Sequence, residues 1–144
     1  MEAQNYKNHS RIVPMYHYVL AFILTACIVA AVWNMYRAWE HHSGRLAAVS
    51  IFGLCIASVI IGWYARIFAI VAQDRAIRAE ENLRHFVLDG KPMDSKLTIQ
   101  QVIALRFAAD TEFLILSEKA ATENMKPSDI KRAIVNWRPD NHRV

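Results

Sequence analysis

The chain has 144 residues, room for one ordinary domain and an anchor, with 54% hydrophobic residues and a formal net charge of +4. Residues 66–144 carry thirteen Lys/Arg against eleven Asp/Glu with the signs interspersed. That pattern lacks the concentrated basic stripe of a nucleic-acid binder, so no nucleic-acid partner is expected. The only cysteines, Cys27 and Cys55, both fall in apolar runs and carry no information on redox compartment.

The hydrophobic residues are unevenly spread. After a polar N-terminal segment (1–12), Met15 to Tyr36 and Leu46 to Ala65 are free of Lys, Arg, Asp and Glu. A helix rises ~1.5 Å per residue and the hydrocarbon layer is ~30 Å thick, so ~20 apolar residues suffice to cross it. Two transmembrane helices are therefore expected, over 13–36 and 46–66, joined by a short external loop at 37–45. Pro14 suits the first turn of the first helix, led in by Ser10 or a neighbour, because its missing N–H has no partner to lose there. Leu24-Thr25-Ala26-Cys27 fits a lipoprotein cleavage pattern, but the apolar run continues past the cysteine, which favours a retained span. Tyr16, Tyr18, Trp63 and Tyr64 fall at one expected interface, and Trp33, Tyr36 and Trp39 at the other. Lys7 and Arg11 precede the first span, and Arg66, Arg75, Arg78 and Arg84 follow the second. This bias places both termini of a multi-pass protein in the cytoplasm.

Small residues set how such spans pack, since lipid offers no hydrophobic drive between helices. Gly53 and Ala57, and Ser58 and Gly62, are candidate helix contacts, either within the hairpin or to a partner's helix. An antiparallel hairpin sets Cys27 near the depth of Cys55, and His17 near that of Arg66. The cysteines read best as small packing residues. His17 and Arg66 are candidate contacts to lipid headgroups, to which an arginine can snorkel.

No Gly or Pro occurs from Trp63 until Gly90, so the second span is expected to continue as a stem helix over 67–90. Asp74–Arg78, Glu80–Arg84 and Glu81–His85 are i,i+4 pairs in the favourable order, and Asp89-Gly90 with Pro92 signals the helix end. Three short amphipathic helices are expected within 91–144. Thr98 to Gln101 reads as a capping box opening the first, Asp110 as the cap of the second, and Lys126-Pro127 as the start of the third. Ile130, Ala133, Ile134 and Trp137 follow helical spacing in that last element. The fold class is thus all-α. Arg75, Arg78, Arg84 and Trp137 are the candidate partner surface.

The sequence shows no phosphate loop, dinucleotide fingerprint, nucleophile elbow or CxxC pair. His9, His17, His41, His42, His85 and His142 give no pair suited to a membrane haem, and Glu81 with His85 is too few ligands for zinc. No catalytic residue, cofactor or metal site is expected.

Gln4 to His9, Val13 to His17, Ala72 to Phe86, Ile103 to Ala108 and Ala133 to Arg138 together resemble a family of short bacterial membrane proteins, chiefly from Bacteroidetes, whose function is unknown. The resemblance covers nearly the whole chain. It implies a bacterial inner-membrane location and two spans, and transfers no activity. The expected function is that of a non-catalytic interaction protein, an accessory or scaffold subunit or a homo-oligomer. Its expected partners are membrane lipids and another membrane protein or a second copy. The alternative is a small oligomeric channel or an anionic-lipid-handling protein.

Overall fold

A computed structural model describes residues 5–6 and 12–139, which are mostly helical. Ser10, Lys7 and Arg11, His9 and His142 lie outside the described residues, as does most of segment 1–12. The chain forms two compact units, Ile12–Ala69 and a second made of Met1–Arg11 with Ile70–Val144.

In the unit Ile12–Ala69, Pro14 stands at the start of a π-helix, Met15–Leu20, that runs directly into α1 (Ala21–Glu40). Nothing in the residue spacing announces the widened π turn. Helix α1 continues beyond Tyr36 because no breaker occurs before Gly44, and Ala38 is buried. The connection is only four residues, with His42 and Gly44 at positive φ (51° and 70°). Helix α2 (Arg45–Asp89) follows, 45 residues without a break.

Many of the buried and half-buried positions of this unit recur in steps of three, four or seven. They include Tyr16, Leu20, Leu24, Ile28 and Ala31 on the first helix, and Ala48, Phe52, Cys55, Gly62 and Arg66 on the second. Such helical spacing marks the seam along which the two helices meet. Ala31 (2% exposed) and Ala48 (0%) are its most buried positions. The remaining faces are apolar and open, with Phe22, Leu46 and Trp63 well exposed.

In the other unit, α2 from Ile70 onward is joined by α3 (Ile99–Leu105), α4 (Asp110–Thr122) and α5 (Pro127–Ala133). Helix α2 stops where expected: Gly90 takes φ +75°, and its N–H donates to the Phe86 carbonyl at 2.8 Å. The Thr98 capping box forms with Gln101, whose amide also donates to the Met125 carbonyl. Leu97, Val102, Leu105, Phe107, Phe113 and Ile130 make the core.

Two expectations are corrected here. Ala109, not Asp110, is the N-cap of α4, and Asp110 is its first helical residue. The last helix ends at Ala133; Ile134 is extended (ψ 122°), and Trp137 forms an antiparallel β-bridge with Ala108. Ile134 and Trp137 still face the core, which is why their spacing read as helical. The backbone goes elsewhere because the Glu112 carboxylate accepts from the amides of Val135 and Asn136. Pro139 also disfavours helical geometry at Arg138.

Phe113→Ala in the full-length protein is expected to destabilise this unit by ~3–5 kcal/mol, and Thr98→Ala by ~1 kcal/mol. Denaturant unfolding in a mild detergent, followed by circular dichroism, measures both.

Candidate functional site

The most connected polar group lies on α2. Arg84 donates from Nε to Asp110 Oδ1 (2.7 Å), from Nη1 to Glu81 Oε2 (2.9 Å) and from Nη2 to the Ala108 carbonyl (2.8 Å). Its guanidinium lies 4.1 Å from the centre of the Phe113 ring. The planar fork of arginine is what allows one side chain to serve three acceptors and an aromatic face together. Glu81 uses its other oxygen towards Arg138 Nη1 at 3.5 Å. The Arg84 and Glu81 side chains are only 11% and 7% exposed. Asp110 sits in the first turn of α4, where a carboxylate also favours the helix dipole.

The ion pairs on α2 therefore differ from the i,i+4 pattern. Arg84 pairs with Glu81 rather than Glu80, because Glu81 shares its inward face with Ile77, where Asp110 and Arg138 converge. His85 is not paired with Glu81 either; its Nδ1 lies 2.8 Å from the Lys91 carbonyl. A cleft of about 280 Å³ opens beside this network, lined by Gln73, Ile77, Glu80, Glu81, Arg106 and Arg138. It brings two carboxylates and two guanidiniums together, with no nucleophile or histidine among them.

Of the surface candidates, Arg75 and Arg78 are exposed, Arg84 is held inside the network, and Trp137 is half-buried against Phe107, ring centres 5.2 Å apart. Among the span candidates, Gly62 accepts a hydrogen bond from the Tyr16 hydroxyl at 2.6 Å, and Arg66 lies 6.0 Å from the centre of that ring. His17 turns its Nδ1 to the Val13 backbone, 3.0 Å from the carbonyl oxygen. Gly53, Ala57 and Ser58 are exposed, off the seam; the Ser58 hydroxyl donates to the Leu54 carbonyl. Cys27 and Cys55 are free thiols. His42 is hydrogen-bonded to Arg45, and no cluster of three or more metal-ligating side chains occurs among the described residues.

Sequence reasoning missed Tyr16, Glu81, Asp110 and Glu112 as organising groups. The signals they carried pointed elsewhere: Tyr16 to the membrane interface, Glu81 to a pair with His85 and Asp110 to a helix cap, while Glu112 carried none.

These elements define the class: an all-α protein with a hairpin of two apolar helices, the second continuing as a long helix and three shorter ones following. Both long helices are long and apolar enough to cross a membrane, and only 6% of the most apolar stretch of each is buried. The chain belongs to a family of unknown function, DUF6526, which it matches over residues 1–144. No curated protein and no solved structure matches it.

Arg84→Ala is expected to destabilise the unit by ~3–5 kcal/mol, since it leaves buried Glu81 with only the longer contact to Arg138. Asp110→Ala, at an exposed carboxylate, is expected to cost no more than ~1 kcal/mol. Parallel denaturant unfolding of the two variants checks this ordering.

Proposed function

We propose that this is a two-span protein of the bacterial inner membrane, with both termini cytoplasmic, acting as a non-catalytic interaction subunit. The observation that carries the reading is the pair of long apolar helices whose outward faces are almost wholly uncovered. Leaving such faces in water is opposed by ~25 cal/mol per Å² of apolar surface, whereas lipid removes that penalty. The topology draws support from Tyr6, whose ring stacks with Arg132 at 5.6 Å in the unit that holds the three short helices. With an even number of crossings, the N-terminal segment and those helices share one side.

The role draws support from how polar groups are used. Arg84, Glu81 and Glu112 hold elements together, Gln101 joins a cap to the Met125 carbonyl, and exposed side chains such as Arg75 and Arg78 remain for contacts. A second reading, contact with anionic lipid, is favoured by Arg66 beside Tyr16 towards one end of the first span.

Single-cysteine variants in a background lacking Cys27 and Cys55 test the topology. In intact spheroplasts an impermeant maleimide is expected to label Ser43→Cys, and to label Ser95→Cys only after lysis. The reverse pattern would refute the orientation, and recovery of the chain in the soluble fraction would refute the membrane reading. Loss of anionic-vesicle binding in Arg66→Ala would favour the second reading.

A further inference from the structure

Between Ile70 and Asp89, α2 has a covered face, largely polar, and an uncovered apolar one. The inner one, with Ile77 and Glu81, is covered by the short helices' unit. At ~100° per residue, Ala72, Ala79, Leu83 and Phe86 fall roughly on the opposite side, with Ala76 at its edge bordering the cleft. All five are exposed, Leu83 by 63% and Phe86 by 54%, and the flanking Val87 by 75%. A helix with one face on its own core ordinarily shows polar residues on the other.

We propose that this outer face docks against the same face of a second copy of the chain, as a parallel helix pair. The proposal rests on the membrane reading above, which gives both copies one orientation. The five residues are separated by steps of four, three, four and three, the repeat of a two-helix seam. Leu83 and Phe86 supply the apolar area, and the alanines admit a close approach of the backbones.

The flanking charges select the occupant. On this repeat Arg75 occupies the position before the seam residue Ala76, and Glu80 the position after Ala79. In a parallel pair such positions meet when they are five residues apart, so Arg75 faces Glu80 of the second copy, and the twofold axis makes the contact twice. Both side chains are exposed, and among the described residues neither is in an ion pair within its own chain. An antiparallel pair would not align them. Arg84 pairs with Glu81, so Glu80, which borders the cleft with Arg106 and Arg138, has no ion pair among the described residues and can turn to this contact.

The test uses the full-length protein in native membranes, with Cys27 and Cys55 replaced by alanine. On oxidation, Ala79→Cys is expected to form a disulfide-linked dimer, while Arg78→Cys, well off the seam, stays monomeric. Glu80→Arg is expected to weaken self-association about tenfold, from two lost pairs and two new repulsions. Adding Arg75→Glu to Glu80→Arg is expected to restore it. Equal cross-linking at 78 and 79, or no rescue by the double exchange, would overturn the proposal. If the chain sediments with membranes yet Ala79→Cys does not cross-link, the face is not a self-interface, and the anchoring stands. Protection of Ala79→Cys from maleimide without cross-linking would assign the face to the lipid surface instead. Recovery in the soluble fraction would remove both readings.

Discussion

The fold of the charged unit depends on one guanidinium. Arg84 is the point where α2, the corner before α4 and the first turn of α4 meet, and it is nearly excluded from water. A buried ion network is weak evidence of extra stability, since well-packed apolar side chains often do as well. Its distinctive effect is geometric. Two acceptors from around the start of α4, Ala108 and Asp110, and one from α2 itself, Glu81, must surround one planar donor while Phe113 closes its face, and few arrangements satisfy that. The network therefore specifies where α4 starts and which face of α2 it meets.

Glu112 plays the corresponding part at the other end of the short-helix set. By accepting from the amides of Val135 and Asn136 it draws the chain out of helix, so that Trp137 reaches Phe107 through a β-bridge. Two carboxylates close together in sequence, Asp110 and Glu112, thus organise opposite sides of α4. Both act as fasteners between backbone segments.

The features legible in the sequence were those set by local rules. Uncharged runs of twenty residues, the Thr98 capping box, Gly90 at a helix end and Pro127 at a helix start each follow from the chemistry of a few neighbouring residues. Trp137 escaped because burial and helical spacing coincide at 130, 134 and 137, while the hydrogen-bond partner that breaks the helix lies more than twenty residues away. Arg84 escaped for the same reason: Glu80 and Glu81 are equivalent partners until the position of Asp110 is known. The π turn at Met15–Leu20 adds one residue to a turn without altering composition, so periodicity does not register it. For the site candidates, the sequence marks Gly62 as a helix contact and Arg66 as a headgroup contact level with His17, but their common partner, the Tyr16 ring and hydroxyl, needs three-dimensional register.

The turn at His41–Gly44 has a consequence for how the two apolar helices move. It is only four residues long and two of them adopt left-handed backbone, so it has little slack. A shift or rotation at the end of α1 is therefore handed directly to the first turn of α2. The two helices answer a disturbance as one lever rather than as two independent rods.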